Sequence, residues 1–273
     1  MVVDPRSMLF VSGARADRFP KAFATGADLV CIDLEDSVPD DEKEQARDTA
    51  LQAIAAHKEG RIALRINGMR TAAGLSDVLA VARSAKPAFL FVPMVECATE
   101  IEIIREVIGD ETGIIPLVES VRGLRAADSI AQSPGVAALM FGGGDFAGEL
   151  GVELAWEPLL HARSEIVMAS ASAKIRAIDV PYIDIENDAG LAEECARAKM
   201  LGFHAKAAIH PRQIETIYSS MRPSAAELAE ARDAIAAFDS GGGAAIRFRG
   251  KMLEAPLILR YRQLLSLGET HHA

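Results

Sequence analysis

Eight short apolar runs, separated by longer stretches of helical spacing, dominate the pattern of this chain. The runs are Met8–Val11, Leu29–Ile32, Ile62–Ile66, Phe89–Val92, Ile114–Val118, Val136–Phe141, Val180–Ile183 and Ala205–Ile209. Helices are expected between and after them at Arg18–Thr25, Asp41–Ala56, Leu75–Ser84, Ala98–Ile108, Gly123–Ala131, Pro158–Ala173, Ala189–Leu201 and Arg212–Ser219. This alternation is the signature of repeated strand–helix units and a parallel sheet. Eight such units in roughly 250 residues match a closed (β/α)8 TIM barrel better than an open doubly wound sheet.

The barrel is assigned to residues 1–223 and a C-terminal helical extension, or arm, to residues 224–273. Within the arm, Ala225–Phe238 reads as a helix and Ser240-Gly241-Gly242-Gly243 as a hinge. Ala244–Ala273 reads as a strand or hairpin followed by a helix over Pro256–Leu267. Its apolar Ile246, Phe248, Met252, Leu253, Ile258 and Leu259 have no surface assigned to them once the barrel is complete. An oligomer, with the arm crossing to another subunit, would supply one.

Composition narrows the function. Half of the 273 residues are apolar and a quarter charged, which excludes disordered and fibrous classes. The net charge of −10, with no basic cluster, argues against a nucleic-acid partner. Cys31, Cys97 and Cys195 form no CxxC pair, so neither a disulfide framework nor a cysteine zinc site is expected. Met8–Val11 is too short for a signal-peptide core or a membrane span, and the expected location is the cytoplasm, away from any membrane.

In such a barrel the active site is built at the C-terminal ends of the strands. Strand 2 is followed by Asp33-Leu34-Glu35-Asp36, strand 3 ends in Arg65-Ile66-Asn67, and strand 4 leads into Pro93-Met94-Val95-Glu96. Strand 5 leads into Glu119-Ser120 and strand 6 into Gly142-Gly143-Gly144-Asp145. Carboxylates crowded at one rim repel one another unless a cation sits among them, and oxygen ligands favour Mg²⁺. The six histidines include no HExxH, so zinc is not indicated. Arg65, among the acids, could fork onto a substrate carboxylate. Plainer roles compete: one of Asp33, Glu35 and Asp36 is expected to cap the following helix, Asp145 could be an N-cap, and His210 could be structural. Residues 142–147, GGGDFA, formally fit a dinucleotide fingerprint, but Asp145 would oppose a pyrophosphate there.

These residues resemble the HpcH/HpaI aldolase and citrate lyase superfamily, in its citrate lyase beta-subunit-like branch. The PGxRPERFxKA opening is similar to residues 12–22, and DLEDxVxxxxKxxAR to Asp33-Leu34-Glu35-Asp36-Ser37-Val38 with Lys43, Ala46 and Arg47. RxN is matched by Arg65-Ile66-Asn67, the IET-type strand end by Val118-Glu119-Ser120, FGxxD by residues 141–145, and GKxxIHPxQ by residues 205–213. The resemblance implies Mg²⁺ on Glu119 and Asp145, Arg65 on the 2-oxoacid half, and Arg18 and Lys21 toward coenzyme A. It implies an arm that reaches a neighbouring subunit's site in a homo-oligomer, a trimer or hexamer.

The implied activity is a Mg²⁺-dependent carbon–carbon lyase. It would cleave a 3-hydroxy-3-carboxyacyl-CoA thioester of the malyl-, citramalyl- or citryl-CoA kind to an acyl-CoA and a 2-oxoacid. The alternatives are a subunit of an acyl-carrier-dependent citrate lyase complex, or a thioesterase-like or non-catalytic relative. Backbone N–H groups at Gly143 and Gly144 would help Arg65 fix the carboxylate, and Glu35, Asp36 and Glu254 join Arg65 as candidate catalytic residues. Two positions depart from the family pattern. Met94 stands where PKxE has lysine, and Glu254 stands where the arm's GxMxDxP pattern has aspartate.

Overall fold

The computed structural model describes residues 5–57 and 61–269, which group into two compact units, residues 5–218 and 219–269. The first contains β1 (Ser7–Ser12), α1 (Phe19–Phe23), β2 (Leu29–Asp33), α2 (Lys43–Ala56), β3 (Ile62–Arg65), α3 (Ala72–Ala82), β4 (Phe89–Val92) and α4 (Ala98–Ile108). It continues with β5 (Gly113–Val118), α5 (Val121–Arg125), α6 (Ala127–Ala131), β6 (Ala138–Phe141), α7 (Gly143–Leu150), α8 (Trp156–Ser172), β7 (Arg176–Asp179), α9 (Asp188–Leu201), β8 (Ala205–Ala208) and most of α10 (Gln213–Met221). Strands β1 to β8 pair in parallel, each with the next, and the ring closes where Ser7 of β1 faces Lys206 of β8. The chain is a (β/α)8 barrel, as the eight apolar runs predict.

Alternate residues of each strand point to the barrel axis. Met8, Leu29, Cys31, Ala63, Phe91, Ile115, Leu117, Met140, Ile178, Ala205 and Ala207 fill that interior, with Phe10 packed edge-on to Phe91 at 5.6 Å between ring centres. Alanines and phenylalanines share this interior, the mix of small and large side chains that fills a tapering barrel.

Three expectations are corrected. The seventh strand is Arg176–Asp179, and the run Val180–Ile183 is the loop that follows it. A strand ending in a buried aspartate is possible because Asp179 has partners: Lys206 Nζ at 2.7 Å and Arg163 Nε at 2.9 Å, all three buried between the barrel and its helices. Burial alone would push the Asp179 carboxyl up, but Lys206 and Arg163 hold it below the ordinary value. The helix expected over Gly123–Ala131 is two short ones broken at Ala126. Asp145 is not an N-cap, for Gly142 holds that position at the start of α7 and Asp145 lies in the first helical turn.

The second unit holds α11 (Ala225–Ser240), the antiparallel β9 (Ile246–Phe248) and β10 (Lys251–Leu253), and α12 (Ala255–Glu269). Ser224 and Glu227 form a capping box at the start of α11. Arg249 and Gly250 turn the hairpin with φ of +45° and +81°, the paired positive values of a two-residue hairpin turn. The arm's apolar residues do find a surface in their own unit: Leu253 and Ile258, with Ile246, Phe248 and Tyr261, pack on Ala234 and Phe238 of α11. Met252, Leu257 and Leu259 remain exposed. Among the described residues no helix is long and apolar enough to cross a membrane.

Candidate active site

The register between β2 and β3 sets Asp33 directly beside Arg65. Their side chains meet as a fork, Arg65 Nε donating to Asp33 Oδ1 at 2.6 Å and Nη2 to Oδ2 at 2.8 Å. Nη1, on the other side of the guanidinium, lies 2.8 Å from Glu35 Oε2 and 3.3 Å from Asp36 Oδ2. None of these acids caps a helix, which corrects the capping expectation. Asp33 instead accepts from the backbone N–H of Glu35 at 2.9 Å and of Ser37 at 3.3 Å, folding the loop around itself.

The remainder of the loop's motif is scaffold. Lys43 donates to the carbonyls of Leu34 and Glu35 and, at 2.6 Å, to Asn67 Oδ1. Asn67 in turn donates from its backbone N–H and Nδ2 to Asp77 Oδ2, a buried carboxylate of α3 that Arg47 approaches at 3.5 Å. Thus Lys43 and Arg47 brace the rims after β2 and β3 from behind.

Glu119, at the end of β5, is 4 % exposed and accepts from the backbone N–H of Met94 at 2.8 Å. Met94 holds φ at +53°, in the left-handed region that a non-glycine residue rarely adopts, while its side chain points outward. The position contributes its backbone to the site. Gly142 is obligatory here, since a Cβ on it would come within 2.0 Å of the Glu119 side chain.

Arg65, Asp33, Asp36, Glu119 and Asp145 line one cavity of about 1000 Å³ at the C-terminal mouth of the barrel. Gly144, Arg18, Lys21 and His210 line it too, above an apolar floor that includes Phe10, Leu117 and Met140. Gly143 lies just behind, packed on Phe141, Leu154 and Val180. The His210 Nδ1 accepts from the Arg212 backbone N–H at 3.2 Å. Glu254 belongs to the second unit, where its carbonyl accepts from the N–H groups of Leu257 and Ile258 at the start of α12.

Five carboxylates gathered around the Arg65 guanidinium set the electrostatics. Burial, followed by neighbouring acids, pushes Glu35 up to about 8 and Glu119 up to about 7, and Asp145 is raised by burial and by Asp36. Asp33 stays below the ordinary value, because the Arg65 fork outweighs its burial. Among the described residues no three His, Cys, Asp or Glu side chains converge to hold a metal between them. Two hard carboxylates, Glu119 and Asp145, fit an ion that completes its shell with water and substrate oxygens, as Mg²⁺ does.

Residues 6–211 match the family model of the HpcH/HpaI aldolase/citrate lyase family. The chain belongs to that family. It is 33% identical over 282 residues to the citrate lyase subunit beta of Escherichia coli strain K12, covering 97% of this chain and 93% of the relative. It is 32% identical to a (3S)-malyl-CoA thioesterase of Cereibacter sphaeroides, covering 97% of this chain and 94% of the relative. The crystal structure of CitE from Mycobacterium tuberculosis, in complex with magnesium, acetoacetate and coenzyme A, superposes with a TM-score of 0.84 at 32% identity, covering 97% of this chain and 98% of that one.

Sequence reasoning placed Arg65, Glu35, Asp36, Glu119, Gly144 and Asp145 at this rim and the resemblance pointed to Arg18 and Lys21; all of these line the cavity except Glu35, which sits against Arg65, while Gly143 and Glu254, also named, are not among its lining residues. The same reasoning missed Asp33 as the partner of Arg65, and Asn67, Lys43 and Asp77 as its bracing. The RxN and DLED patterns contain three of those four residues, so the signal was present and its physical meaning was not.

Proposed function

We propose that this family member is a Mg²⁺-dependent carbon–carbon lyase that cleaves a 3-hydroxy-3-carboxyacyl-CoA thioester to an acyl-CoA and a 2-oxoacid. The observation that carries the reading is the convergence of Glu119 and Asp145 with the Asp33-braced Arg65 on one cavity mouth. The relatives named for citrate lyase and malyl-CoA, and the magnesium and coenzyme A held by the superposed structure, support it.

Glu119 and Asp145 would hold the ion, which when bound supplies a positive centre for the substrate's carboxylate and hydroxyl and makes the hydroxyl easier to ionise. The Arg65 guanidinium, and the backbone N–H groups of Gly143 and Gly144 at the start of α7, orient the carboxylate. Glu35, pushed up to about 8 largely by burial, can take a proton near neutral pH and give it back. The hydroxyl proton leaves to such a base, the bond between the carbinol carbon and the thioester's α-carbon breaks, and its electron pair passes into the thioester as an enolate. A proton delivered to that carbon completes the acyl-CoA, while the hydroxyl oxygen becomes the ketone of the 2-oxoacid. Asp36 sustains the acidic field around Glu35, and Arg18 and Lys21 at the cavity wall attract the phosphates of coenzyme A.

Glu254 is proposed as the proton donor to the enolate, presented by the arm of a neighbouring protomer in a homotrimer or hexamer. The exposed Met252, Leu257 and Leu259 of the arm suit such a packing. The free thiols suit the reducing cytoplasm.

The test is a panel of malyl-, citramalyl- and citryl-CoA incubated with and without Mg²⁺, reading the 2-oxoacid and free coenzyme A separately. A Mg²⁺-dependent 2-oxoacid with the thioester intact is the expected result. Free coenzyme A without a 2-oxoacid would indicate a thioesterase instead, and inertness toward all three would overturn the lyase reading.

A further inference from the structure

The loops that follow β7 and β8 are tied together by side chains with no part in the proposed chemistry. Lys206 Nζ, fully buried on β8, donates to the carbonyl of Val180 at 2.7 Å. Gln213 Nε2 donates to the carbonyl of Tyr182 at 2.7 Å, while its Oε1 accepts from the backbone N–H groups of Ile209 at 3.0 Å and His210 at 3.2 Å. At the surface, Arg212 Nη1 reaches Glu186 at 2.9 Å. Gln213 is 1 % exposed, so one buried amide satisfies three backbone groups from two loops.

Residues 180–187 have no helix or strand of their own, and ordering them costs conformational entropy at every residue. The stretch is nonetheless held in place, and with the β8 loop it carries Val180, Pro181, Ile183, Ile209 and Pro211 to the cavity. Ile183 and Ile209 are 63 % and 46 % exposed, an apolar lip at the mouth of a polar site. Holding such side chains toward solvent is unfavourable unless a ligand covers them.

We propose that Gln213 is a positioning residue whose buried amide latches the β7 and β8 loops into a single apolar wall, against which the non-reacting part of the thioester packs. The nature of what meets the wall rests on the proposed lyase reading; the latch itself does not. Only an amide of this length combines, on one planar group, an acceptor for Ile209 and His210 with a donor for Tyr182. Glutamate keeps the acceptor and loses the donor, and methionine keeps the shape and loses both.

The experiment compares full-length Gln213→Glu and Gln213→Met with the parent by amide hydrogen exchange and by steady-state kinetics. In Gln213→Glu, exchange over residues 182–186 should quicken by about tenfold while 209–210 stays protected, since about one good hydrogen bond is lost. In Gln213→Met both loops should quicken. KM for the thioester should rise in both variants by a larger factor than kcat falls, because the wall orients remote parts of the substrate. Unchanged exchange in Gln213→Glu, the variant closest in shape and the one relied on should Gln213→Met fail to fold, overturns the latch. Faster exchange with an unaltered KM overturns the wall. A parent protein that cleaves no thioester would sink the lyase reading alone, and the exchange rates would still decide the latch.

Discussion

The pairing of Asp33 with Arg65 makes a quantitative demand on a single substitution. Asp33→Asn preserves the shape of the side chain, keeps an oxygen to accept from the Glu35 N–H, and removes the charge that fixes the guanidinium. Asp33 is 3 % exposed, and its two bonds to Arg65 measure 2.6 and 2.8 Å, so this is a buried, bidentate, charge-assisted pair. Breaking one partner of such a pair costs about 3–5 kcal/mol, and the retained oxygen, with Glu35 and Asp36 still beside Arg65, argues for the lower end. For a domain of this size about 3 kcal/mol corresponds to a fall in Tm of about 6–12 °C. Asp36→Asn is the control, since Asp36 is 69 % exposed at 3.3 Å from the guanidinium and its pair is worth less than about 1 kcal/mol. Thermal unfolding of both variants by circular dichroism measures the difference. Equal Tm changes in the two, or a change under about 2 °C for Asp33→Asn, would show that the fork does not organise this rim.

Other outcomes follow from the same geometry. Glu119→Gln and Asp145→Asn should each abolish Mg²⁺ binding by calorimetry with the circular dichroism spectrum preserved, because amides are poor ligands for hard ions; retained binding in both would refute the metal assignment. Arg65→Lys should weaken 2-oxoacid binding by about 1–3 kcal/mol through loss of its planar donors, and an equal dissociation constant would make Arg65 a purely structural neighbour of the acids. Lys206→Met should destabilise the barrel by about 3–5 kcal/mol by leaving Asp179 with Arg163 alone. Because the folded-state pKa of Asp179 is depressed, its stabilisation is present above about pH 4 and is lost as pH falls below that, so the gap between parent and variant should narrow in acid. Glu254→Gln should impair turnover at constant oligomeric mass, and it is a cleaner probe than truncation before Ala244, which would also strip the cover from Phe238.

Much of the barrel was legible because buried parallel strands leave continuous apolar runs, and the polar residues just beyond them mark the rim. Strand β7 escaped because its ends are Arg176 and Asp179, and charges in a four-residue strand erase the apolar signal. They are tolerated only because Lys206, 27 residues away in sequence, arrives beside Asp179. The same distance in sequence hid Asp33, whose partner Arg65 is 32 residues on and becomes adjacent only through strand register. Helix α7 was concealed by its glycines, which disfavour helix by propensity but are required at Gly142 by the Glu119 side chain. Glu35, Glu119 and Asp145 could be named from sequence, but their raised pKa values could not, since these depend on how deeply each is buried and on which acids face it.

The seam between β1 and β8 governs how this protein comes into being at the ribosome. Ser7, Met8 and Leu9 are made some 200 residues before their partners Lys206, Ala207 and Ala208. Until β8 is made, the strands already present can form at most an open sheet, in which β1 is an edge bearing unsatisfied backbone groups. At about 5–20 residues per second that exposure lasts for about 10–40 s, long enough for a chaperone to engage or for two growing chains on one message to stick. Release products ending before Ala205 cannot close the ring and should partition into aggregates, whereas chains reaching Ala208 should not.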